Sequence, residues 1–259
     1  MEDNMLLVAR EGHVVTVTIN RPQARNSLHP ELLKQMAALF GELSGDGETR
    51  CVVIRGAGDK AFSAGYDIGS IPDGDGRPSQ DLLRRALTAV AEFPFPVIAM
   101  IQGFCIGGGF ELAVSCDIRV AAENARFGMP PAKLGVVYHP SGLLRFINLV
   151  GVGWTKYLFC TGRQITAQRA REVGLVEELV PVAELEATAY GIAREIAENA
   201  PLSVSGTKQT LTTLLNYQTV SFSEMDRLLA LVDNCFASED LKEGKRAFAE
   251  KRKPVFQGR

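Results

Sequence analysis

The sequence has few cysteines, and no pattern would use them together. Its five cysteines are an odd number in 259 residues, and they are spread along the chain without a C-x-x-C pair. Disulfide frameworks and structural zinc sites depend on cysteines at short, regular spacings. Neither is indicated, and no nicotinamide signature is present. We therefore expect a reduced, cytoplasmic protein whose chemistry needs no metal and no separate cofactor.

An excess of one charge and long hydrophobic runs are also lacking. The formal net charge is only −2, so no basic field favours nucleic acid or an anionic membrane surface. The longest apolar runs, such as PVIAMI at 96–101, are far too short to span a bilayer. We expect neither a nucleic-acid partner nor a membrane partner.

Strand and helix patterns alternate through the first half of the chain, which is typical of an α/β architecture. The long segment 57–79 is rich in Gly, Asp, Pro and Ser and is predicted to be a loop. The predicted strands are 13–20, 51–56, 96–103 and 117–123, and the predicted helices are 29–43, 80–93 and the segment after the glycine triplet at 107–109.

The second half of the chain, from about residue 140, is predicted to be nearly all helical. Apolar residues recur at helical spacing. They form one face at Leu185, Ala189, Ile192, Ala193 and Ile196, and another at Phe222, Met225, Leu228, Leu229, Val232 and Phe236. The last forty residues show no core of their own, so they are expected to pack on the core or on another subunit. We divide the chain into a core at 1–200 and a helical oligomerisation region at 201–259.

The triplet Gly107, Gly108 and Gly109 stands where a helix begins. The first N–H groups of a helix have no partner inside it and lie at the positive end of its dipole. Glycine lets a ligand approach that backbone closely. The stretch is therefore suited to binding an oxygen that gains negative charge. Close packing of a strand–helix turn is the alternative, and neither glycine-rich phosphate loop pattern is present.

A second glycine-containing segment, AFSAGYDI at 61–68, is a candidate for a second backbone donor near Tyr66. Two donors that converge on one oxygen would make a catalytic oxyanion hole. Taken alone, the segment is equally consistent with an ordinary turn in which Asp67 caps a helix.

Together these stretches resemble the crotonase superfamily, also called the enoyl-CoA hydratase/isomerase family. The resemblance covers nearly the whole chain. It includes INRPQARNSL (19–28), KAFSAGYDI (60–68), the glycine-rich stretch through GMP (103–130), TGRQITAQRAREVGLVEELVP (161–181) and AFAEKRKPVF (247–256). It implies a crotonase-like spiral of ββα units followed by a helical C-terminal region that forms trimers, often as a dimer of trimers. The implied ligand is an acyl-CoA thioester.

The family motif also implies residue roles. The backbone N–H groups of Tyr66 and Gly108 would hold the thioester oxygen. The remaining implied contacts with substrate or CoA are Arg25, Ser27, Ala64, Asp67, Ile68, Gly107, Pro131, Phe248 and Lys251. Of these, Phe248 and Lys251 are implied near the CoA end, from this chain or from a neighbouring subunit.

Two positions distinguish this chain from most of that family. Hydratases of the family use two glutamates. The first falls at Glu111, for which the alternative interpretation is an exposed helix residue without a catalytic role. The second position holds Pro131, which offers no proton. The next turn carries Tyr138 and His139. This pattern resembles the methylmalonyl-CoA decarboxylase subgroup, although that subgroup has histidine where this chain has Tyr66.

Three functions remain open on the sequence. A decarboxylase of short 2-carboxyacyl-CoA thioesters would use Tyr138 to orient the carboxylate, and Glu111 to order a water or return a proton. A hydratase or isomerase would use Glu111 with Tyr138 or His139. A CoA-binding scaffold would not turn over. Tyr138 alone is also consistent with a loop tyrosine that packs on the core, and His139 is expected at the surface of a loop.

Overall fold

Two β-sheets, nine α-helices and four short 3-10 turns are found in the described part of the computed structural model, which covers residues 5–70, 77–216 and 222–257. The strands are β1 (Leu6–Glu11), β2 (Val14–Ile19), β3 (Cys51–Gly56), β4 (Ala61–Ser63), β5 (Val97–Ile101), β6 (Phe104–Ile106), β7 (Ile118–Ala122), β8 (Arg126–Gly128), β9 (Gln164–Thr166) and β10 (Glu178–Val180). The helices are α1 (Pro30–Gly45), α2 (Arg77–Ala91), α3 (Gly108–Ser115), α4 (Pro140–Thr161), α5 (Ala167–Glu172), α6 (Leu185–Glu198), α7 (Pro201–Asn216), α8 (Phe222–Ala237) and α9 (Glu239–Ala249).

The chain contributes strands to the two sheets in turn. The larger sheet has the order β1-β2-β3-β5-β7-β10, and the smaller sheet has the order β4-β6-β8-β9. Each of the pairs β3–β4, β5–β6 and β7–β8 gives one strand to each sheet before a helix follows. Apart from the antiparallel pairs β1–β2 and β8–β9, neighbouring strands are parallel. The predicted α/β class and the repeated ββα arrangement are confirmed.

The long predicted strands and helices are confirmed, whereas several short strands were missed. β3 coincides with the predicted 51–56, because its run of β-branched residues is buried on both faces. The segment 57–79 is not a continuous loop, since it contains β4, a short 3-10 turn at Ile68–Ser70 and the start of α2; residues 71–76 lie outside the described residues. Strands of three residues are too short for alternation to show.

The predicted apolar face of α6 covers the outer side of the larger sheet. Leu185, Ala189 and Ala193 are buried against a cluster that includes Ile98 and Val120. Ile192 and Ile196 are partly buried against the same cluster. This confirms the helical face that the sequence predicts.

The last helices pack on the same chain. Val232 and Phe236 of α8 and Leu241 of α9 form a small cluster with Val136 and Val137. The side chains of Phe222 and Leu228, which were predicted on the same face, lie outside the described residues. In α7, Lys208 Nζ donates to Phe95 O at 3.0 Å and lies 2.7 Å from Asp117 Oδ2. Residues after 200 therefore contact the core, and the proposed division at residue 200 stays a prediction.

Candidate active site

A cavity of about 490 Å³ lies between the smaller sheet and the C-terminal helices. One side is formed by the loop after β4 and the N-terminus of α3, and the other by the segment 130–141 and by α9. Among the predicted site residues, those that line it are Ala64, Tyr66, Ile68, Gly107, Gly108, Glu111, Pro131, Tyr138 and Phe248. The fold thus brings together segments that are far apart in the sequence.

The backbone N–H groups of Tyr66 and Gly108 lie side by side at the inner wall. Gly108 is the first residue of α3, so its N–H has no partner within the helix. Leu28 N–H donates to Gly65 O at 2.7 Å, and Asp67 N–H donates to Leu28 O at 3.1 Å. Because successive N–H groups of an extended segment point to opposite sides, the Tyr66 N–H points away from Leu28. A Cβ added to Gly108 would lie 3.2 Å from Tyr66 N, so the two donors are neighbours.

Gly107 and Gly109 of the triplet are required for different structural reasons. Gly107 caps α3 with φ 54° and ψ −123°, a conformation that residues with a Cβ rarely adopt. A Cβ on Gly109 would lie 2.5 Å from the Cβ of Ser63, so close packing requires glycine there. Close packing therefore explains Gly109, whereas the role of the Gly108 N–H as a donor to a negatively charged oxygen stays a prediction.

A polar network anchors the loop that carries Tyr66. Arg21 Nη1 donates to Ser27 O and Ser27 Oγ, both at 2.8 Å, and to Asp67 Oδ2 at 3.0 Å. The side chain of Asn26, which is buried, donates to Ala57 O and Ala61 O. The sequence did not single out Arg21 or Asn26, because their role depends on three segments meeting. Asp67 Oδ2 accepts from Arg21, and Asp67 directly precedes the 3-10 turn at Ile68–Ser70.

Four of the predicted CoA-binding residues lie outside the described lining of this cavity: Arg25, Ser27, Asp67 and Lys251. The guanidinium of Arg25 lies 5.7 Å from the centre of the Phe104 ring. Contact of these four residues with CoA remains a prediction.

Glu111 is buried in the first turn of α3 and is only 5% exposed. Arg145 of α4 faces it, with Nη1 3.5 Å from Glu111 Oε1. Burial raises the pKa of Glu111 to about 7, and the positive charge of Arg145 opposes that rise. The alternative of an exposed helix position is wrong. The sequence reasoning missed Arg145, although a lone arginine in the apolar segment GLLRFINLV was a signal that a buried carboxylate needs a partner.

Tyr138 has a structural side and a polar side. Its ring packs edge-on against Phe159, with 5.4 Å between the centroids. A Cβ added to Gly107 would lie 3.5 Å from the Tyr138 hydroxyl oxygen. The hydroxyl is therefore beside the paired N–H groups. Burial and the nearby Glu111 raise the pKa of Tyr138, so the hydroxyl stays protonated and can donate a hydrogen bond.

His139 does not lie on a surface loop as expected. It is half-buried, lines the cavity and is the N-cap of α4. Its Nδ1 accepts a hydrogen bond from Ser141 N–H at 3.2 Å. The signal in the sequence was Pro140, since proline favours the first position of a helix.

Pro131 is buried in a 3-10 turn of the cavity wall and supplies no carboxylate. Glu111 is the only acidic side chain among the described residues that line the cavity. Basic side chains are more frequent there, namely Arg84, Lys133 and Arg252. The cavity therefore favours an anionic ligand and has one carboxyl group available for proton transfer.

The C-terminal wall of the cavity comes from the same chain. Phe248 lines it together with Gly244 and Ala247 of α9. Arg252, and not its neighbour Lys251, is among the lining residues. Arg252 is held by Glu243, which accepts hydrogen bonds from Arg252 and from Val255 N–H.

Paired backbone donors and a buried carboxyl group line one cavity between the smaller sheet and the C-terminal helices, an arrangement suited to stabilising a developing oxyanion. The model of the enoyl-CoA hydratase/isomerase family matches residues 9–259. The chain belongs to this family, the crotonase superfamily of acyl-CoA enzymes.

Curated relatives with different activities match over nearly the full length. The short-chain-enoyl-CoA hydratase of Clostridium acetobutylicum is 39% identical and the alignment covers 98% of this chain and 97% of that protein. The methylmalonyl-CoA decarboxylase of Escherichia coli K12 is 36% identical, with 95% of each chain covered.

Solved structures repeat this pair of activities. A methylmalonyl-CoA decarboxylase complexed with 2S-carboxypropyl-CoA is 34% identical, with a TM-score of 0.93 and complete coverage of both chains. An enoyl-CoA hydratase from Bacillus anthracis is 35% identical, with a TM-score of 0.79, and 99% of this chain and all of that one are covered. In the described part of this chain, no helix is long and apolar enough to cross a membrane.

Proposed function

We propose that this protein decarboxylates a short 2-carboxyacyl-CoA thioester of the methylmalonyl-CoA type. The observation that carries the proposal is the composition of the cavity wall. Glu111 is the only carboxyl group among the described lining residues, and the Tyr138 hydroxyl lies beside the paired N–H groups. The family resemblance puts Pro131, which also lines the cavity, at the position of the second glutamate. This set lacks the second acid/base of a usual hydratase but holds what decarboxylation needs.

The reaction proceeds through a thioester enolate. The bond between the α-carbon and the carboxylate breaks, CO₂ leaves, and the electron pair forms a double bond to the thioester carbon. The negative charge moves to the thioester oxygen, which the N–H groups of Tyr66 and Gly108 hold. A single donor of this kind contributes about 2.7–4 kcal/mol to stabilising such a transition state. A proton, from Glu111 or a water that it orders, then adds to the α-carbon.

Tyr138 orients the leaving carboxylate in this scheme. Its neutral hydroxyl donates a hydrogen bond that turns the breaking C–C bond perpendicular to the thioester plane. The electron pair can then enter the π system of the forming enolate. The ring contact with Phe159 fixes the hydroxyl in that position.

Backbone similarity also supports the decarboxylase. The TM-score is 0.93 for a decarboxylase complex, and it is 0.79, 0.84 and 0.86 for three proteins named as hydratases or hydratase/isomerases. Hydration or isomerisation is the second candidate, because Glu111 is retained and a hydratase is 39% identical. In that case Glu111 would act with Tyr138 or His139.

A turnover screen separates the candidates. Malonyl-, methylmalonyl-, ethylmalonyl-, crotonyl- and 3-hexenoyl-CoA are each incubated with the protein, and CO₂ release, hydration and isomerisation are measured. We expect CO₂ release from a 2-carboxyacyl-CoA and slow hydration of crotonyl-CoA. Rapid crotonyl-CoA hydration without decarboxylation would overturn the proposal. Tight CoA binding without any turnover would instead support a scaffold.

Tyr138→Phe tests the residue at the centre of the scheme. The variant keeps the ring contact and removes the hydroxyl. Loss of a hydrogen bond to a charged group corresponds to about 1.5–3 kcal/mol, or roughly ten- to a hundredfold in rate. Tyr157→Phe, on the exposed side of α4, is the control and should retain full activity. Full decarboxylation by Tyr138→Phe would refute the role of Tyr138.

A further inference from the structure

His139 is held in one protonation form by the helix that it caps. Ser141 N–H donates to His139 Nδ1 at 3.2 Å, and Ser141 Oγ lies 2.8 Å from the same nitrogen. An imidazole nitrogen that accepts a hydrogen bond carries a lone pair, so the proton of the neutral ring is on Nε2. The bond from Ser141 N–H favours the tautomer that can donate through Nε2, and the contact with Ser141 Oγ is compatible with it.

The surroundings of His139 keep its ring neutral. Burial lowers the pKa of His139, and the positive charges of Arg84 and Arg145 lower it further. Asp81 of α2 acts in the opposite direction and is itself 3.1 Å from Arg84. Protonation at Nδ1 would also remove the acceptor of the cap. Near neutral pH the ring therefore offers the cavity an N–H donor.

The ring lines the same cavity as the paired N–H groups. It lines the cavity directly after Tyr138, whose hydroxyl lies beside Gly107. Leu83 is next to Arg84 in α2, and a Cβ added to Gly108 would lie 3.5 Å from the Leu83 side chain. Helix α2 therefore reaches the paired N–H groups through Leu83 and lines the same cavity as His139 through Arg84.

We propose that His139 binds the 2-carboxylate of the substrate as a neutral Nε2–H donor, next to the hydroxyl of Tyr138. This inference rests on the proposed decarboxylase function and deepens it, because it names a second group that selects a carboxylated acyl chain. It also argues against His139 as a substitute for the missing glutamate. A general base would need its lone pair on Nε2, where the cap places the proton.

Binding of two unreactive ligands tests the inference without turnover. Isothermal titration calorimetry compares 2-carboxypropyl-CoA with propyl-CoA, which lacks the carboxylate. His139→Ser keeps a good helix cap but removes the ring donor. We expect it to weaken 2-carboxypropyl-CoA binding roughly tenfold, as for a lost hydrogen bond to a charged group, with propyl-CoA binding unchanged. His139→Asn keeps both a helix cap and an N–H donor, so its affinity for 2-carboxypropyl-CoA should fall less than that of His139→Ser.

The outcomes separate the two proposals. If the unmodified protein does not prefer the carboxylated ligand, the proposed substrate class fails. If it does, and His139→Ser keeps the same preference, only the role of His139 is overturned. The ratio of the 2-carboxypropyl-CoA affinities of the unmodified protein and of His139→Ser should be constant from pH 6.5 to 8, because titration of Glu111 changes both affinities alike. A ratio that grows as the pH falls would show a charged imidazolium and contradict the neutral donor.

Discussion

Glu111 and Arg145 form the ion pair that sets the proton chemistry of the cavity. Burial favours the uncharged carboxyl group, whereas the arginine favours the carboxylate. The result is a pKa of about 7, at which a carboxyl group holds its proton part of the time at neutral pH. A group in this state can return a proton to an enolate carbon.

Glu111→Gln should impair turnover while acyl-CoA binding stays within a few-fold. The amide keeps the size of the side chain but cannot transfer a proton. If Glu111 supplies the proton, kcat of the unmodified protein falls as the pH rises through about 7, because the acid form is then lost. The variant should lack this decline. Stopped-time assays from pH 5.5 to 8.5 and calorimetry measure both quantities. An unchanged kcat in Glu111→Gln would make the residue structural.

Gly142→Ala, in the helix α4 that faces Glu111, should displace the Glu111 carboxyl group. A Cβ at this position would lie 2.4 Å from Glu111 Oε1. The carboxyl group is the end of a flexible side chain, so it should move before the backbone does. A displacement of about 1 Å in an active site can reduce the rate about a hundredfold. We expect a large loss of kcat with little change in thermal stability.

Gly153→Ala is the matched control in the same helix. No atom lies within 4 Å of a Cβ at Gly153, so activity should not change. Equal activity of the two variants would contradict the position of Glu111 against α4.

At the scale of elements, α9 and the segment before α4 each form part of the cavity wall. Gly244 of α9 packs against the backbone of Leu134. A Cβ added to Gly244 would lie only 2.5 Å from Leu134 O. The next turn of the same helix brings Ala247 and Phe248 to the cavity wall. The contact between two backbones therefore positions an apolar wall of the acyl-CoA site.

Gly244→Ala should both destabilise the protein and weaken acyl-CoA binding. Backbone atoms cannot move aside as a flexible side chain can, and overpacking of this kind typically costs about 1–3 kcal/mol. Denaturant unfolding and calorimetry with an acyl-CoA measure the two effects. Gly191→Ala in α6 meets no atom within 4 Å and should be neutral or stabilising. If Gly244→Ala binds as tightly as Gly191→Ala, α9 does not form the wall in solution.

At the scale of the whole molecule, the described part of the chain leaves several leucines of α7 exposed. Leu202 is 88% exposed, and Leu211, Leu214 and Leu215 are also exposed. The last three share one helical face. A surface of this kind is typical of an interaction site, and the family resemblance implies trimers.

We expect sedimentation velocity to show a trimer or a dimer of trimers at micromolar concentration. Leu214→Lys places a charge in the exposed apolar face and should shift the protein toward smaller species. Gln209→Lys, on the opposite side of α7, is the control and should leave the assembly intact. A stable monomer of the unmodified protein would refute the prediction of a trimer.

The sequence by itself determined the features that depend on neighbouring residues. The long strands follow from runs of β-branched residues, and the helices follow from apolar spacing and proline at their starts. The donor at Gly108 was also predictable, since a glycine triplet before a helix exposes backbone N–H groups locally. The family followed from several such motifs in a fixed order.

Only the tertiary structure decided how distant side chains meet. The pairing of Glu111 with Arg145, the position of the His139 ring in the cavity wall and the packing of α9 beside Leu134 join segments that no local pattern links. Each depends on which atoms remain within a few ångströms after the sheets and helices have packed, and burial then alters the pKa of Glu111 and of His139. The sequence therefore determined which groups were available, and packing decided which of them share a site.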